Sequence, residues 1–353
     1  MENVLVYPFN KAYQPYVWIG EIYGNKLIKS LVSPNGWGME GEEVQSLTGK
    51  YVVTSNFSHE LKGCTMVWFV EDDTLSLPEE VLISKVKEAI ENGKDILYTR
   101  YKDKHLYDKV MNMLQSSKKQ PMLRDEEKRQ VNLNSFCYSI KVPIIAILGL
   151  EEGVQKFDVQ VALWRKLKEL GYEVEAISTR LDSEVIGMNS IPQFMFETGM
   201  SETEKIIQYN HYVKRIELTK KPDLIILGVP GSVMPFDQVN HNNFGIMSYL
   251  ISMAVPVDYA VLCAPFYTSS DLDFTDLKMD IYHKFGFKVD FCHIAPITLD
   301  LRSIFEDNKR RFFTLKEEYI QQELSKKEKD DMGYVLTPSN IEKLAHRILE
   351  VLS

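Results

Sequence analysis

Short apolar segments alternate with segments of helical periodicity along most of this 353-residue chain. VLVYPF at residues 4–9 and TMVWFV at residues 65–70 have the length and composition of buried strands, and VPIIAILG at residues 142–149 begins a second series of them. Strands that are separated by helices indicate parallel sheets joined by crossover connections. We therefore predict an α/β fold with two open, mostly parallel sheets.

The length of the chain indicates two domains, because single hydrophobic cores stop growing at about 250–300 residues. A densely charged stretch without an apolar period, at residues 116–135, is the best candidate for a boundary. We predict a Rossmann-like N-terminal domain at residues 1–125 and a linker at residues 126–139. A P-loop-NTPase-like domain with a C-terminal helix is predicted at residues 140–353.

Two helices of the second domain have recognisable boundaries. Apolar residues recur at helical spacing from Phe157 to Leu167, directly after a glycine-containing loop. Ser339 with Glu342 forms a capping-box pattern, which predicts the start of a final helix that reaches Leu352.

The composition excludes several classes of protein. A formal net charge of −9 argues against a nucleic-acid-binding protein, which needs a basic face. The four cysteines are far apart and form no Cys-x-x-Cys pair, so we predict buried, reduced thiols and neither a disulfide framework nor a metal site. No apolar run approaches the roughly 18 residues of a membrane span, and the N-terminal segment is not a signal peptide. We expect a cytoplasmic protein without nucleic-acid or membrane partners, and its oligomeric state is open.

The segment GLEEGVQKFD, at residues 149–158, lies where a phosphate-binding loop occurs, between a predicted strand and a predicted helix. Such a loop needs glycines that let backbone N–H groups approach the oxygens, a lysine that neutralises charge and a hydroxyl that holds Mg²⁺. Gly149 precedes Lys156 by seven residues, one more than the usual spacing. We predict that Gly149, Gly153, Lys156 and Asp158 bind a phosphate or another anion.

The loop resembles that of dethiobiotin-synthetase-like P-loop proteins, GTDTGVGKT in consensus form. The matching positions are Gly149, Gly153, Val154 and Lys156, with Glu151 where that family has aspartate.

Two departures from that family concern the metal. Phe157 replaces the hydroxyl residue that holds Mg²⁺, which leaves Asp158 as the nearest oxygen ligand. The later strand has Leu227 where the family has a metal-binding acid. A third departure, Gln155 in place of a glycine, adds a side chain where the backbone approaches the phosphates. The resemblance therefore implies that metal-assisted phosphoryl transfer is compromised.

Two further loops are candidates for lining a cleft. GWGMEG, with Gly36, Trp37 and Gly38, has the literal G-x-G-x-x-G spacing, but no full helix follows it, so a glycine-rich turn is predicted. PGSVMPFDQVNHNNFG, at residues 230–245, follows the end of a strand, where open α/β sheets bind ligands. The residues predicted to line a cleft there are Gly231, Asp237, His241, Asn242 and Asn243.

The order of these segments along the chain resembles the clostridial peptide-maturation-system proteins, a natural-product and bacteriocin cluster family. The segments that carry the resemblance are SPNGWGMEG, ILGLEEGVQKFD, GYEVEAISTR and KPDLIILGVPGSVMP. More distantly, the chain resembles a two-domain family that includes a D-glutamate N-acetyltransferase. The resemblance implies a cytoplasmic accessory protein whose partner is a precursor peptide or a peptide-modifying enzyme. It carries no set of catalytic residues.

Three functions remain open from the sequence. The first is an accessory protein of peptide maturation whose degenerate nucleotide site binds an anionic or peptide ligand without Mg²⁺. The second is an ATP-dependent ligase or acyltransferase acting on a peptide or amino acid, with ATP as cofactor and Asp158 holding Mg²⁺. The third is an interaction scaffold in which both loops are inert.

Overall fold

The computed structural model describes residues 2–22, 26–46, 49–71, 77–117, 136–234, 245–267, 274–300, 311–326 and 331–352. The chain divides into two compact units. The N-terminal unit comprises Met1–Arg129 and Leu181–Gly187, and the C-terminal unit comprises Gln130–Arg180 and Met188–Ser353. The short segment Leu181–Gly187 thus returns to the first unit, which the domain boundaries inferred from the sequence did not include.

The N-terminal unit is built on a mixed five-stranded sheet. The strands of the whole unit are β1 (Asn3–Tyr7), β2 (Glu21–Ile22), β3 (Lys26–Leu31), β4 (Glu43–Ser46), β5 (Gly49–Val52), β6 (Met66–Phe69) and β7 (Asp95–Tyr98). The strand order is β2-β3-β1-β6-β7, with β2 antiparallel to β3 and the other neighbours parallel. The remaining strands, β4 and β5, form an antiparallel hairpin.

The helices of this unit are α1 (Gln14–Ile19), α2 (Phe57–Lys62), α3 (Glu79–Glu91) and α4 (Lys104–Ser116). Apolar residues at helical spacing on α3 and α4 pack with the apolar residues of β6 and β7 into one core. All four residues of β6 are buried, as expected of a central parallel strand that is covered on both faces.

The C-terminal unit contains a parallel seven-stranded sheet. The strands of the whole unit are β8 (Ile144–Gly149), β9 (Val174–Ser178), β10 (Asn189–Ser190), β11 (Leu224–Gly228), β12 (Tyr259–Pro265), β13 (Val289–Ala295), β14 (Ile297–Leu299), β15 (Phe312–Thr314) and β16 (Met332–Gly333). The sheet order is β10-β9-β11-β8-β12-β13-β16, and β14 pairs with β15 in a separate antiparallel ribbon.

The helices of this unit are α5 (Lys156–Glu169), α6 (Glu202–Lys220), α7 (Ile246–Ala254), α8 (Phe274–Phe285), α9 (Glu317–Ser325) and α10 (Pro338–Leu352). The strand β8, IIAILG, is buried along its whole length because helices cover both faces of the sheet. The start of α10 differs from the prediction: the N–H of Asn340 is bonded to the backbone and side-chain oxygens of Thr337, so Thr337 caps the helix and Ser339 lies within it.

The strand order places the loop after β8 at a characteristic position. The strands that follow β8 first fill one side of it, with β9, β10 and β11, and then the other side, with β12, β13 and β16. Open α/β sheets bind ligands beyond the carboxyl ends of their strands, at the point where the order reverses in this way. The loop at residues 150–155 lies at that point.

Two features bear on the predictions from composition. None of the helices within the described ranges combines the length and the apolar character needed to cross a membrane. Cys64, Cys263 and Cys292 are buried free thiols, but Cys137 is exposed, so the prediction of a buried thiol is wrong at this position. Cys137 lies in the extended segment before β8. The backbone of this segment is hydrogen-bonded to α6 at Tyr138, and the thiol of Cys137 is exposed to solvent.

Candidate functional site

The loop after β8 is fixed at its first residues by backbone hydrogen bonds to two neighbouring strand ends. The N–H of Leu150 donates to the carbonyl oxygen of Cys263, at the end of β12, over 2.8 Å. The N–H of Val233, which follows β11, donates to the carbonyl oxygen of Gly149 over 2.8 Å. Three strands of the sheet therefore hold the start of the loop in place.

Gly149 allows the side chain of Lys156 to fold back across the strand end. A Cβ atom at residue 149 would lie 2.6 Å from Cδ of Lys156 and 2.9 Å from the carbonyl oxygen of Glu151. Both distances are shorter than van der Waals contact, so a side chain at this position would displace the lysine or the loop backbone.

Lys156 begins α5 and reaches the turn after β11. Its ammonium group donates to the carbonyl oxygen of Val229 over 3.1 Å and also to that of Gly231. Burial lowers the pKa of Lys156 to about 8, an effect that the nearby thiol of Cys263 and the carboxylate of Glu152 partly oppose. The lysine thus keeps its charge at neutral pH and lies next to Gly231, the one predicted residue of the later loop that the structure describes.

The backbone of the loop forms a concave arrangement of N–H groups. Gly153 and Gln155 have left-handed backbone conformations, with φ of 75° and 60°. Within the described part of the chain, the backbone N–H groups of Gly153, Gln155 and Lys156 have no protein acceptor. A left-handed residue followed by a helical one turns successive N–H groups toward one point, which is the geometry of an anion-binding nest. The positive end of the helix dipole of α5 adds to this potential.

The position that would hold Mg²⁺ in a phosphate-binding loop contains an apolar side chain. Phe157 is buried, and the guanidinium of Arg180 lies 5.0 Å from the centre of its ring. Leu227, at the place of the second metal ligand, is buried within β11 between Ala146 and Ile177 of the adjacent strands. Among the described residues, no group of three or more histidines, cysteines and acids is arranged to hold a metal ion.

Asp158 is half-buried in the first turn of α5. Burial raises the pKa of its carboxyl group to about 6, although the charge of Arg180 favours the ionised form. Close to neutral pH the group is mainly ionised, and it becomes protonated in mildly acidic solution.

The structure also brings to this loop residues that the sequence analysis did not single out. The side chain of His293, at the end of β13, lies 3.2 Å from Oε1 of Gln155. Gln160, fully buried on α5, donates through its side-chain amide to the carbonyl oxygens of Ile177 and Ile226 over 2.9 and 3.2 Å. Two features of the sequence could have identified these residues. One is a histidine near the carboxyl end of an apolar strand, and the other is a glutamine among the apolar positions of a helix.

Of the other predicted site residues, three belong to the N-terminal unit and four lie outside the described residues. Gly36, Trp37 and Gly38 belong to the N-terminal unit, in a turn after β3 in which the N–H of Trp37 donates to the carbonyl oxygen of Pro34 over 3.3 Å. The hairpin of β4 and β5 follows this turn, whereas a dinucleotide site would have a helix there. Asp237, His241, Asn242 and Asn243 lie outside the described residues.

No protein-family model matches the chain, and no curated protein sequence matches it significantly. Among solved structures, the chain is similar to a DUF1611 family protein from Anabaena variabilis ATCC 29413, with a TM-score of 0.54 and 11% identity. That similarity covers 87% of this chain and 91% of the other. A plasmid partition protein from Borrelia burgdorferi is similar with a TM-score of 0.34 and 17% identity, over 60% of this chain and 98% of the other. The α/β fold predicted from the sequence is thereby confirmed.

Proposed function

We propose that the protein binds an anionic group, such as the phosphate of a nucleotide, at the loop between β8 and α5 without the help of Mg²⁺. The observation that carries this proposal is the set of backbone N–H groups of Gly153, Gln155 and Lys156, which lack a protein acceptor in the described structure and adjoin the ammonium group of Lys156. An anion supplies the acceptors that these donors need.

The charge at the loop supports this function. Two carbonyl oxygens accept from the ammonium group of Lys156 within the described residues, and a protonated lysine has three N–H donors, so one donor remains for an anion. Burial of the charged group lowers the pKa of Lys156, and a bound anion offsets this cost of burial.

The enzyme alternative, an ATP-dependent ligase or acyltransferase, requires a metal ion at the transferred phosphate. Phe157 and Leu227 occupy the two positions that would supply its oxygen ligands, and both are buried apolar residues. Asp158 is then the carboxylate that must hold Mg²⁺, and burial favours its protonated form. Metal-independent binding therefore has the stronger support from the residues of the loop.

The resemblance to peptide-maturation-system proteins suggests a biological setting for this site. On that resemblance alone, we propose an accessory role in the maturation of a peptide natural product, with a precursor peptide or its modifying enzyme as partner. The anion would then be a nucleotide or an anionic group of the peptide.

The proposed site is tested by calorimetric titration of ATP, in the presence of EDTA, into wild type and the Lys156→Ala variant. We expect the variant to bind about 10- to 100-fold more weakly, since hydrogen bonds to a charged group contribute about 1.5–3 kcal/mol. Lys168→Ala is the matched control, because Lys168 lies on the same helix but is exposed. No binding by wild type, or equal affinity of the two variants, would contradict the proposal.

A further inference from the structure

Gln155 occupies a backbone position that favours glycine. Its φ of 60° and ψ of 27° place it in the left-handed region. Among the described non-glycine residues, only Gln155 and Lys221 have a positive φ. A Cβ atom makes this conformation unfavourable, and the resembling P-loops have glycine at the corresponding position. An interaction of the glutamine side chain must therefore compensate for the conformation of the backbone.

This interaction is with a histidine in a single tautomeric state. The N–H of Val335 donates to Nδ1 of His293 over 3.3 Å, so the ring carries its hydrogen on Nε2. This Nε2–H donates to Oε1 of Gln155 over 3.2 Å. His293 is fully buried, which lowers its pKa to about 3 and keeps the ring neutral at physiological pH.

The histidine ring is also fixed by packing. The buried ring of Tyr334 lies against it, with the two ring centres 5.5 Å apart.

The two hydrogen bonds form one chain from the backbone at Val335, through His293, to Gln155. Val335 lies in the segment after β16, which is thereby attached to the anion loop.

We propose that Gln155 is a positioning residue of the anion loop. The chain of hydrogen bonds holds residue 155 in its left-handed conformation, and that conformation sets the directions of the N–H groups at residues 153–156. The inference rests on the proposed function of this loop, and it reverses the expectation from the sequence: the glutamine strengthens anion binding where it replaces the consensus glycine.

The test is calorimetric titration of inorganic pyrophosphate, without metal, into the full-length wild type and the variants Gln155→Gly, Gln155→Asn and Tyr334→Phe. Glycine restores the P-loop consensus, and asparagine tolerates the left-handed conformation but is one methylene too short to reach His293. We expect both Gln155 variants to bind about fivefold to tenfold more weakly, the effect of one lost hydrogen bond. Tyr334→Phe keeps the ring that packs on His293 and the bond from His293 to Gln155, so it is the control and is expected to bind as wild type does.

A second readout separates positioning from a general loss of stability. The ¹⁵N resonances of the His293 ring report its hydrogen bond to Gln155. We expect pyrophosphate to shift the Nε2 resonance in wild type and to leave it unchanged in Gln155→Gly, whose melting temperature is measured alongside.

The outcomes distinguish this inference from the function on which it rests. If wild type binds pyrophosphate in a Lys156-dependent way and Gln155→Gly binds as tightly or more tightly, the site stands and the positioning role is overturned. If neither wild type nor any variant binds, the proposed function and the positioning role both fail.

Discussion

At the scale of single residues, the sequence predicted the loop and its lysine but not the reason why the loop is stable. Gly149, Gly153 and Lys156 lie within one short segment, so their spacing can be read directly. The partner of Gln155 is 138 residues away, and the two meet only because β8, β12 and β13 are neighbours in the sheet. The sequence alone therefore presented Gln155 as an obstacle to anion binding.

Gly149→Ala is expected to destabilise the protein and to weaken anion binding together. The added Cβ overlaps the Lys156 side chain and the carbonyl oxygen of Glu151, and overpacking of this kind costs about 1–3 kcal/mol. Urea unfolding and pyrophosphate titration of the same variant measure the two effects. Gly199→Ala is the control, because a Cβ there meets no atom within 4 Å and should change neither quantity.

The affinity for pyrophosphate is expected to depend on pH through Lys156. Burial lowers its pKa to about 8, so the ammonium form is lost as the pH rises through that value. A bound anion favours the charged form, and the affinity should therefore fall toward tenfold per pH unit above pH 8. Titrations from pH 7 to 9.5 measure this slope. The same slope in Lys156→Ala would show that another group is responsible.

At the scale of secondary-structure elements, the sequence located the strands that are apolar throughout and missed the elements without a regular pattern. The segments for β1, β6 and β8 were predicted within two residues at either end. The helix α7, IMSYLISMA, has no charged residue, so no polar face marks its period. Strand order was not predictable, because it is decided by contacts between residues that are distant in sequence.

Side chains of α6 hold the extended segment before β8. Asn210, which is fully buried, accepts from the N–H of Tyr138 over 2.7 Å and donates to the carbonyl oxygens of Tyr138 and Ala254 over 2.9 and 2.8 Å. Glu217, two turns further along the helix, accepts from the N–H of Lys141 over 2.8 Å. The connection into the central strand thus depends on the helix.

Asn210→Ala is expected to lower the free energy of unfolding by about 2–4 kcal/mol. The substitution leaves one buried and two partly buried backbone groups without this partner, and each unsatisfied buried group costs about 1–3 kcal/mol before relaxation. Urea denaturation measures the change. Asn112→Ala, at an exposed position of α4, makes the same chemical change and should cost less than about 1 kcal/mol. Equal costs would contradict the role given to Asn210.

At the scale of the whole molecule, the buried cluster under the loop is expected to affect acid stability. His293 has a folded-state pKa of about 3 because it is buried, whereas the unfolded value is near 6.5. Between these values the unfolded chain binds more protons, so stability is lost as the pH falls below about 6.5.

The expected effect of this histidine is about 1.4 kcal/mol for each pH unit below 6.5. Asp158 acts in the opposite direction, since burial raises its pKa to about 6 and protonation favours the folded state. The comparison of wild type with His293→Gln cancels that contribution. Urea unfolding from pH 7 to 4 should show that the free energy of unfolding falls more steeply with decreasing pH for wild type than for the variant. Parallel pH dependences of the two proteins would contradict the burial of a neutral histidine.

The central claim, that the loop binds an anion without a metal ion, is tested most directly by the effect of Mg²⁺ on ATP binding to wild type. We expect ATP to bind in EDTA with an affinity that saturating Mg²⁺ leaves within about threefold, because neither Phe157 nor Leu227 supplies a metal ligand. Binding that requires Mg²⁺, accompanied by release of phosphate or pyrophosphate, would contradict the account and favour an ATP-dependent enzyme with Asp158 at its metal.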